Sequence, residues 1–167
     1  MIEIERKFLL RDGDQSWRGQ AVRSCRIVQG YFESAGRASV RVRVTAEKAV
    51  LTIKGPANGC ARSEFEYVIP PGDANMMLMQ FCGPRTIIKT RYFVPAAEAG
   101  LTWEIDEYHG ALEGGLNAEL EIPSVDFEFQ RPQWLGREVT DDWRYANAAL
   151  AMAQRWPELH GKTENPC

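Results

Sequence analysis

The sequence predicts a mainly β (α+β) protein: a closed eight-stranded antiparallel β-barrel with a few helices packed outside it, one of them C-terminal. Three observations support this fold class. Runs that alternate polar and apolar residues recur eight times along the 167 residues, as in strands with two unlike faces. Turn-forming residues separate the runs and favour hairpins. Charged pairs at i, i+2 spacing recur on six runs, so each of these strands carries charge on one face.

Each strand is predicted where a period-two run lies between residues that favour turns. Gly, Pro, Asn and Asp concentrate in the breaks between the runs, because these residues supply the backbone conformations that tight turns need. We therefore expect neighbouring strands to pair as hairpins. The predicted strands are 2–10, 26–33, 39–45, 49–55, 62–69, 85–94, 101–108 and 118–122.

Two segments have helical patterns instead. Residues 73–82 begin with Asp73, a typical N-cap, and end at Gly83. Residues 141–156 follow Thr140, which is expected to cap them. Apolar residues recur at helical spacing in both segments, so we expect both helices to pack onto the wall of the barrel.

The length and composition indicate one core. A chain of 167 residues with 44% hydrophobic content can bury most of its surface as a single domain. We expect this domain to span residues 1–157, followed by a short polar C-terminal tail over residues 158–167.

The overall charge excludes some classes of partner. A formal net charge of −3 provides no long-range attraction to nucleic acid or anionic lipid, so we expect neither as a partner. Charge appears within the first three residues, and no run approaches ~18 apolar residues, so neither a signal peptide nor a membrane span is expected. We therefore expect a cytoplasmic protein. The sequence is compatible with a homodimer without requiring one.

The charged pairs are the features that point to function. For any one strand, a solvated sheet face is the simpler explanation, but such faces usually mix neutral polar residues and both charge signs. Like charges about 7 Å apart on one strand repel unless a ligand lies between them. We therefore expect these faces to line the lumen, where carboxylates would suit divalent cations and Arg and Lys would suit phosphate. The like-charged pairs are Glu3/Glu5, Arg41/Arg43, Glu64/Glu66, Lys89/Arg91, Glu104/Asp106 and Glu119/Glu121.

The ordered set of motifs resembles the CYTH superfamily, also called triphosphate tunnel metalloenzymes. The opening Glu3-x-Glu5-x-Lys7 matches the signature of that family. The resemblance spans almost the whole chain and therefore implies a CYTH-type tunnel domain. The further matching segments are Gln29-Gly30-Tyr31, Arg41-x-Arg43, Thr52-Ile53-Lys54-Gly55, Arg62-x-Glu64-x-Glu66, Lys89-x-Arg91, Trp103-Glu104-Ile105-Asp106, Ala118-Glu119-Leu120-Glu121 and Tyr145-Ala146-Asn147.

The resemblance implies a tunnel that binds triphosphate compounds together with Mg²⁺ or Mn²⁺. Hard divalent cations prefer oxygen ligands, which agrees with the carboxylates of the charged pairs. The implied metal ligands are Glu3, Glu5 and Glu121 for one cation, and Glu119, Asp106 and Glu104 for a second one, directly or through water. The implied phosphate ligands are Lys7, Arg41, Arg43, Lys54, Lys89 and Arg91. Glu64 and Glu66 are expected to orient these basic residues, with a role in metal binding as the alternative.

The resemblance also suggests a general base. In some bacterial members of the family a tyrosine–lysine pair is thought to activate the attacking water, and the matching positions are Tyr31 and Lys54. The alternative is that Tyr31 is an aromatic residue at the rim and that Lys54 only binds phosphate. A metal-bound water could also suffice.

The function expected from the resemblance is metal-dependent hydrolysis of a terminal phosphoanhydride, with inorganic tripolyphosphate as the substrate and pyrophosphate and phosphate as products. The expected partner is the small-molecule triphosphate, with a homodimer left open. One alternative is a class IV type adenylate cyclase, which uses the same tunnel to make cyclic AMP and pyrophosphate from ATP. A thiamine or nucleoside triphosphatase is another. A non-catalytic polyphosphate-binding module has no need of the acidic pairs, which argues against it.

Overall fold

The computed structural model describes residues 2–33, 38–56 and 61–157, and within them all side chains except those of residues 2, 3, 61 and 62. The side chain of Glu3 and the tail at 158–167 therefore lie outside the described part. Within the described ranges, nine antiparallel strands form the fold. They are β1 (Ile2–Leu10), β2 (Arg23–Tyr31), β3 (Ser39–Val44), β4 (Ala49–Lys54), β5 (Ala61–Ile69), β6 (Thr86–Pro95), β7 (Thr102–His109), β8 (Leu116–Glu121) and β9 (Leu135–Glu138).

The strands follow the order β5-β4-β3-β2-β6-β7-β8-β1-β9, and β5 pairs in addition with β1. One edge of β1 pairs with β8 through residues 5–9. The other edge is shared, because residues 2–4 pair with β5 and residues 8–10 with β9. The first eight strands thus form a curled sheet that meets itself along a short seam of three residue pairs. This confirms the predicted eight-stranded arrangement and shows that closure is only partial in length.

The outer face of β1, β7 and β8 carries the largest apolar core. Phe8, Trp103 and Trp134 are at most 1% exposed there, and the rings of Phe8 and Trp103 meet edge to face at 5.7 Å. Apolar side chains thus pack on the outside of the curled sheet, whereas Glu5, Lys7, Glu104 and Glu119 of the same strands face inward. The apolar side chains of β5 are an exception to this packing, because Phe65 and Tyr67 are 52% and 55% exposed.

The first helical segment runs as α1 (Pro71–Met77) and continues as a π-helical turn over Leu78–Cys82. It begins at Pro71 rather than at Asp73, because proline suits the first position of a helix, where its missing N–H is not needed. Its buried Ala74 and Cys82 pack outside the sheet against β3 and β4. This agrees with the predicted position.

The second helical segment is shorter than predicted. A 3-10 turn covers Trp143–Tyr145, and α2 covers only Asn147–Ala153. Thr140 does not cap a helix, because its hydroxyl accepts a hydrogen bond from the backbone N–H of Lys7 at 3.0 Å and donates to Glu138 at 2.8 Å. The side chain of Asp142 instead accepts from the backbone N–H of Arg144 and caps the 3-10 turn.

The helix α2 closes one end of the lumen rather than packing on the outer wall as predicted. Its buried Leu150 and Ala151 pack against Tyr31 and Tyr108 of the inner face. The ring of Trp156 follows at 5.1 Å from Tyr108. The lumen is therefore accessible from the opposite end. Across the residues that the structure describes, none of the helices has the length and apolar character needed to cross a membrane.

Candidate active site

A cavity of about 850 Å³ occupies the lumen. It is lined by most of the residues that the sequence pattern singled out, because side chains two residues apart on a strand point to the same face. Its open end is bordered by residues 100–102 and 122–123. The basic residues in its lining are Lys7, Arg41, Arg43, Lys54 and Arg91, and the acidic ones are Glu5, Glu64, Glu66, Glu104, Glu119 and Glu121.

One wall brings acidic residues of β1 and β8 into register. Glu5 is the direct cross-strand partner of Glu121, and Lys7 is that of Glu119. Lys7 Nζ lies 2.7 Å from Glu119 Oε1 and 3.8 Å from Glu5 Oε1. Burial alone would lower the pKa of Lys7, but the two carboxylates outweigh it and raise this pKa. Lys7 therefore remains a cation deep in the lumen.

Arg91 on β6 organises the same wall. Its Nη2 donates to Glu119 Oε2 at 2.7 Å, and its Nε and Nη2 donate to the two oxygens of Asp106 at 2.7 Å each. Its Nη1 donates to Glu104. Burial would raise the pKa of Glu119, but Lys7 and Arg91 hold that pKa well below its usual range. Glu119 is consequently an anion at every pH near neutrality.

The opposite wall, formed by β3, β4 and β5, is mainly basic. Lys54 Nζ lies 3.1 Å from Glu64 Oε2, and Arg43 Nη2 lies 3.1 Å from Glu66 Oε1. Arg41 Nη2 donates to Thr52 Oγ1 at 3.2 Å. Glu64 and Glu66 thus form ion pairs with basic side chains of this wall.

Arg41 also carries a donor without a partner. Its Nε is buried and makes no hydrogen bond to any residue in the described ranges. A buried guanidinium donor is costly to leave unpaired, so an oxygen of a ligand in the lumen would satisfy it. Burial and the neighbouring Arg41 and Arg91 lower the pKa of Arg43, which shows how strongly positive charge is concentrated here.

Among the predicted ligands whose side chains the structure describes, two do not line the cavity. Lys89 and Asp106 are 1% and 0% exposed. They lie nearer the closed end of the lumen, where Lys89 is the cross-strand partner of Tyr108 and its Nζ lies 2.5 Å from Asp106 Oδ2. Burial lowers the pKa of Lys89 to about 8, although the carboxylate of Asp106 acts in the other direction. Because this pKa lies above 7, Lys89 stays mostly protonated at pH 7. Burial would raise the pKa of Asp106, but Arg91 and Lys89 lower it, so Asp106 is its anionic partner.

Tyr31 lines the cavity near its closed end. Its hydroxyl accepts a hydrogen bond from Gln29 Nε2 at 3.1 Å. Burial raises the pKa of the phenol, and the nearby Arg41 and Lys7 only partly offset this. The phenol therefore keeps its proton near neutral pH, and Tyr31 can donate a hydrogen bond into the lumen.

The charge pattern did not reveal the neutral residues of the site. Asn147, at the start of α2, lines the cavity, and its Nδ2 donates to Glu119 Oε1 at 3.5 Å. Thr52 donates to Glu66 Oε1 at 3.0 Å and so joins the basic wall. The motif Tyr145-Ala146-Asn147 was visible in the sequence, but it carried no charge that could assign a role to Asn147.

The donor set of the acidic wall fits a hard divalent cation. Glu5 and Glu121 oppose each other across two strands, and like charges directly opposite each other are unfavourable without a cation between them. In the described ranges, no group of three or more His, Cys, Asp or Glu is already arranged as a metal site. Glu119 is engaged by Lys7 and Arg91. The fit therefore rests on the chemistry of Glu5 and Glu121.

Comparison with known proteins gives a consistent result. An inorganic triphosphatase of Acetivibrio thermocellus is 43% identical over 148 residues, which cover 89% of this chain and 92% of that protein. An inorganic triphosphatase of Nitrosomonas europaea is 33% identical over 159 residues, covering 92% of this chain and 99% of that protein.

Solved structures share the fold. The crystal structure of an inorganic triphosphatase has a TM-score of 0.62 and 31% identity, covering 90% of this chain and 94% of that one. A Pyrococcus horikoshii protein has a TM-score of 0.57 at 20% identity, covering 74% of this chain and 80% of that one, and shows the shared fold alone. The family model of the CYTH domain matches residues 1–147. The resemblance seen in the motifs is thereby confirmed, and the chain belongs to the CYTH domain family.

Proposed function

We propose that this protein hydrolyses the terminal phosphoanhydride of inorganic tripolyphosphate with the help of Mg²⁺ or Mn²⁺, giving pyrophosphate and phosphate. The observation that carries the proposal is the pairing of two unlike walls around one cavity. A basic wall with an unpaired Arg41 donor faces an acidic wall on which Glu5 and Glu121 oppose each other. The similarity to proteins named inorganic triphosphatase supports the choice of substrate.

The chain's own residues would bind and orient the substrate. Arg41, Arg43 and Lys54 on one wall, and Lys7 and Arg91 on the other, would contact phosphate oxygens, the arginines in bidentate fashion and the lysines as compact charges. Glu5 and Glu121, with Glu3 and Glu119, would hold the cations. A bound divalent cation supplies charge neutralisation at the phosphate oxygens and lowers the pKa of a bound water. Glu104 and Asp106 would contribute through water or through Arg91.

Tyr31 and Lys54 are the residues that we propose for handling the proton of the attacking water. Both line the cavity. The raised pKa of the Tyr31 phenol leaves it protonated, so Tyr31 would orient the water by donating a hydrogen bond. Lys54 would then be the member of the pair that accepts the proton, for which it must face the water as a neutral amine. In that role it could not also bind phosphate as a cation, and the other basic residues of the lumen would do so.

The experiment is a substrate panel on the purified protein. Tripolyphosphate, ATP and thiamine triphosphate would each be incubated with Mg²⁺, with Mn²⁺ and with a chelator, and both phosphate release and cyclic AMP would be measured. We expect phosphate release from tripolyphosphate that needs a metal. Formation of cyclic AMP and pyrophosphate from ATP, with tripolyphosphate left intact, would replace the proposal by a cyclase.

A further inference from the structure

Lys89, Asp106 and Arg91 form a connected row of hydrogen bonds that ends at the cavity. Asp106 is fully buried and accepts two hydrogen bonds from Arg91, from Nε to Oδ1 and from Nη2 to Oδ2, both at 2.7 Å. This bidentate contact fixes the plane of the guanidinium. Arg91 lines the cavity, but Asp106 does not. The orientation of the Arg91 guanidinium, a candidate phosphate ligand, is thus determined by a residue outside the cavity lining.

Lys89 continues the row. Its Nζ donates to Asp106 Oδ2 at 2.5 Å and to Asn147 Oδ1 at 3.3 Å. An ammonium group that is 1% exposed depends on such acceptors, because no water shell replaces them. Asn147 therefore helps to determine where the Lys89 charge sits relative to Asp106.

The side chain of Asn147 is itself held in place. Its Oδ1 also accepts from the hydroxyl of Tyr108 at 2.8 Å, and that hydroxyl accepts from Asn117 Nδ2 at 3.2 Å. Asn147 is the first residue of α2, whose Leu150 packs into the closed end of the lumen. The amide therefore links the helix that closes the lumen to the ion pairs of the acidic wall.

We propose that Asn147, although it lines the cavity, is a positioning residue that acts through Lys89 and Asp106 on Arg91. Of these four residues, only Arg91 would contact the substrate. The proposal rests on the proposed function of the lumen as a polyphosphate site. It changes the roles that the sequence pattern suggested for Lys89 and Asp106, from direct ligands to a support for Arg91. If Asn147, Lys89 and Asp106 act only by orienting Arg91, then they affect the affinity for the substrate only when Arg91 is present.

The test is a double-mutant cycle on the full chain, read by calorimetric binding of tripolyphosphate without metal. Asn147→Ala should weaken binding about tenfold, the lower end of the cost of losing an outer partner at a ligand site. In an Arg91→Lys background, where no bidentate contact remains to be oriented, the same change should weaken binding less than about twofold. Met152→Ala, at a 67% exposed position of α2, is the matched control and should bind like the wild type.

Tyr108→Phe is the second variant, since it removes only the hydroxyl that donates to Asn147. It should weaken binding by a smaller factor and again only when Arg91 is present. In hydrolysis assays KM should rise with the dissociation constant, while kcat stays within about twofold. Melting temperatures confirm that all variants fold.

Two outcomes would overturn the proposal. Equal weakening by Asn147→Ala in both backgrounds would mean that Asn147 contacts the substrate directly, and no weakening in either would mean that it is a bystander. The binding assay separates this inference from the proposed function. A wild-type protein that binds tripolyphosphate without cleaving it would refute hydrolysis, and the cycle would still decide the role of Asn147.

Discussion

Glu5 on β1 and Glu121 on β8 are direct cross-strand partners, and both side chains line the same cavity. Antiparallel neighbours place their β-carbons about 5 Å apart, so two carboxylates in these positions repel each other in the absence of a cation. The neighbouring pair in the register, Lys7 with Glu119, is neutral overall. Lys7 Nζ lies 3.8 Å from Glu5 but only 2.7 Å from Glu119, so it offsets only part of the repulsion between Glu5 and Glu121, where we propose the metal.

Glu121→Gln, and likewise Glu5→Gln, should abolish turnover while leaving the fold intact. The amide keeps the shape of the side chain but removes the charge that a divalent cation requires, so we expect a loss of at least about a hundredfold in kcat/KM. Phosphate release from tripolyphosphate measures this. Glu113→Gln is the control, because that carboxylate is 72% exposed and lies outside the cavity. Wild-type activity in either lumen variant would remove the metal assignment.

Lys54→Met and Tyr31→Phe should differ in their effect on kcat. Loss of a group that accepts a proton typically costs 10²- to 10⁴-fold, so we expect about a hundredfold or more for Lys54→Met. Tyr31→Phe removes only a hydrogen-bond donor and should cost about tenfold or less. Steady-state kinetics over a range of tripolyphosphate concentrations separates kcat from KM. A Lys54→Met enzyme with normal kcat and a raised KM would show that Lys54 only binds phosphate.

Glu138→Gln should destabilise the protein at neutral pH but not in acid. Glu138 accepts two hydrogen bonds from Arg6, and these, together with Thr140, lower its pKa below the ordinary 4.5. Because the folded pKa is the lower one, the stabilisation is complete above pH 4.5 and is lost as the pH falls through the folded value. For this partly exposed pair we expect about 1 kcal/mol or less at pH 7.

Urea unfolding of wild type and Glu138→Gln at a series of pH values measures the difference. Glu128→Gln, at an exposed position, serves as the control for loss of a carboxylate. A difference that stays constant down to pH 2 would show that the charge of Glu138 contributes nothing. Tripolyphosphate hydrolysis should be unchanged, since Glu138 does not line the cavity.

Gly115→Ala should loosen the closed end of the lumen. A β-carbon at Gly115 would lie 2.2 Å from Trp156 Cε3, so the indole must leave its place beside Tyr108. Overpacking of this kind costs about 1–3 kcal/mol. Gly19→Ala is the matched control, because a β-carbon there meets nothing within 4 Å. Urea unfolding and tryptophan fluorescence measure both effects, and equal stability of the two variants would contradict the prediction.

The sequence predicted the strands well because one face of most strands meets the charged lumen and the other meets apolar residues, which gives a period-two pattern. Each predicted run overlaps an observed strand, and most boundaries differ by no more than about three residues. The ninth strand, Leu135–Glu138, was missed because Leu135-Gly136-Arg137-Glu138 shows no apolar alternation. The end of the chain was harder to predict, because Thr140 bonds to the backbone of a distant strand, which local propensity cannot anticipate.

The sequence predicted which side chains of the candidate site face the lumen, but not which of them reach the cavity. A charged pair on a strand shows which residues face inward, but it does not show how far along the lumen each one lies. Lys89 and Arg91 therefore look equivalent in the sequence, although only Arg91 reaches the cavity. Asn147 could not be assigned because its role depends on α2 folding back over the lumen. Likewise, the strand pattern does not show that the outward side chain of Phe65 is exposed to solvent.

The ion pairs within the lumen have a consequence for selectivity. Lys7 and Arg91 form ion pairs with Glu119, and Arg43 forms one with Glu66. These cations therefore have counter-ions within the lumen in the absence of a ligand. Binding is then an exchange of one anion for another. A monovalent ion such as chloride gains little by displacing a carboxylate, whereas a polyanion meets several cations at once. We therefore expect the lumen to bind polyanions in preference to monovalent anions, so that the charge of the ligand matters before its shape does.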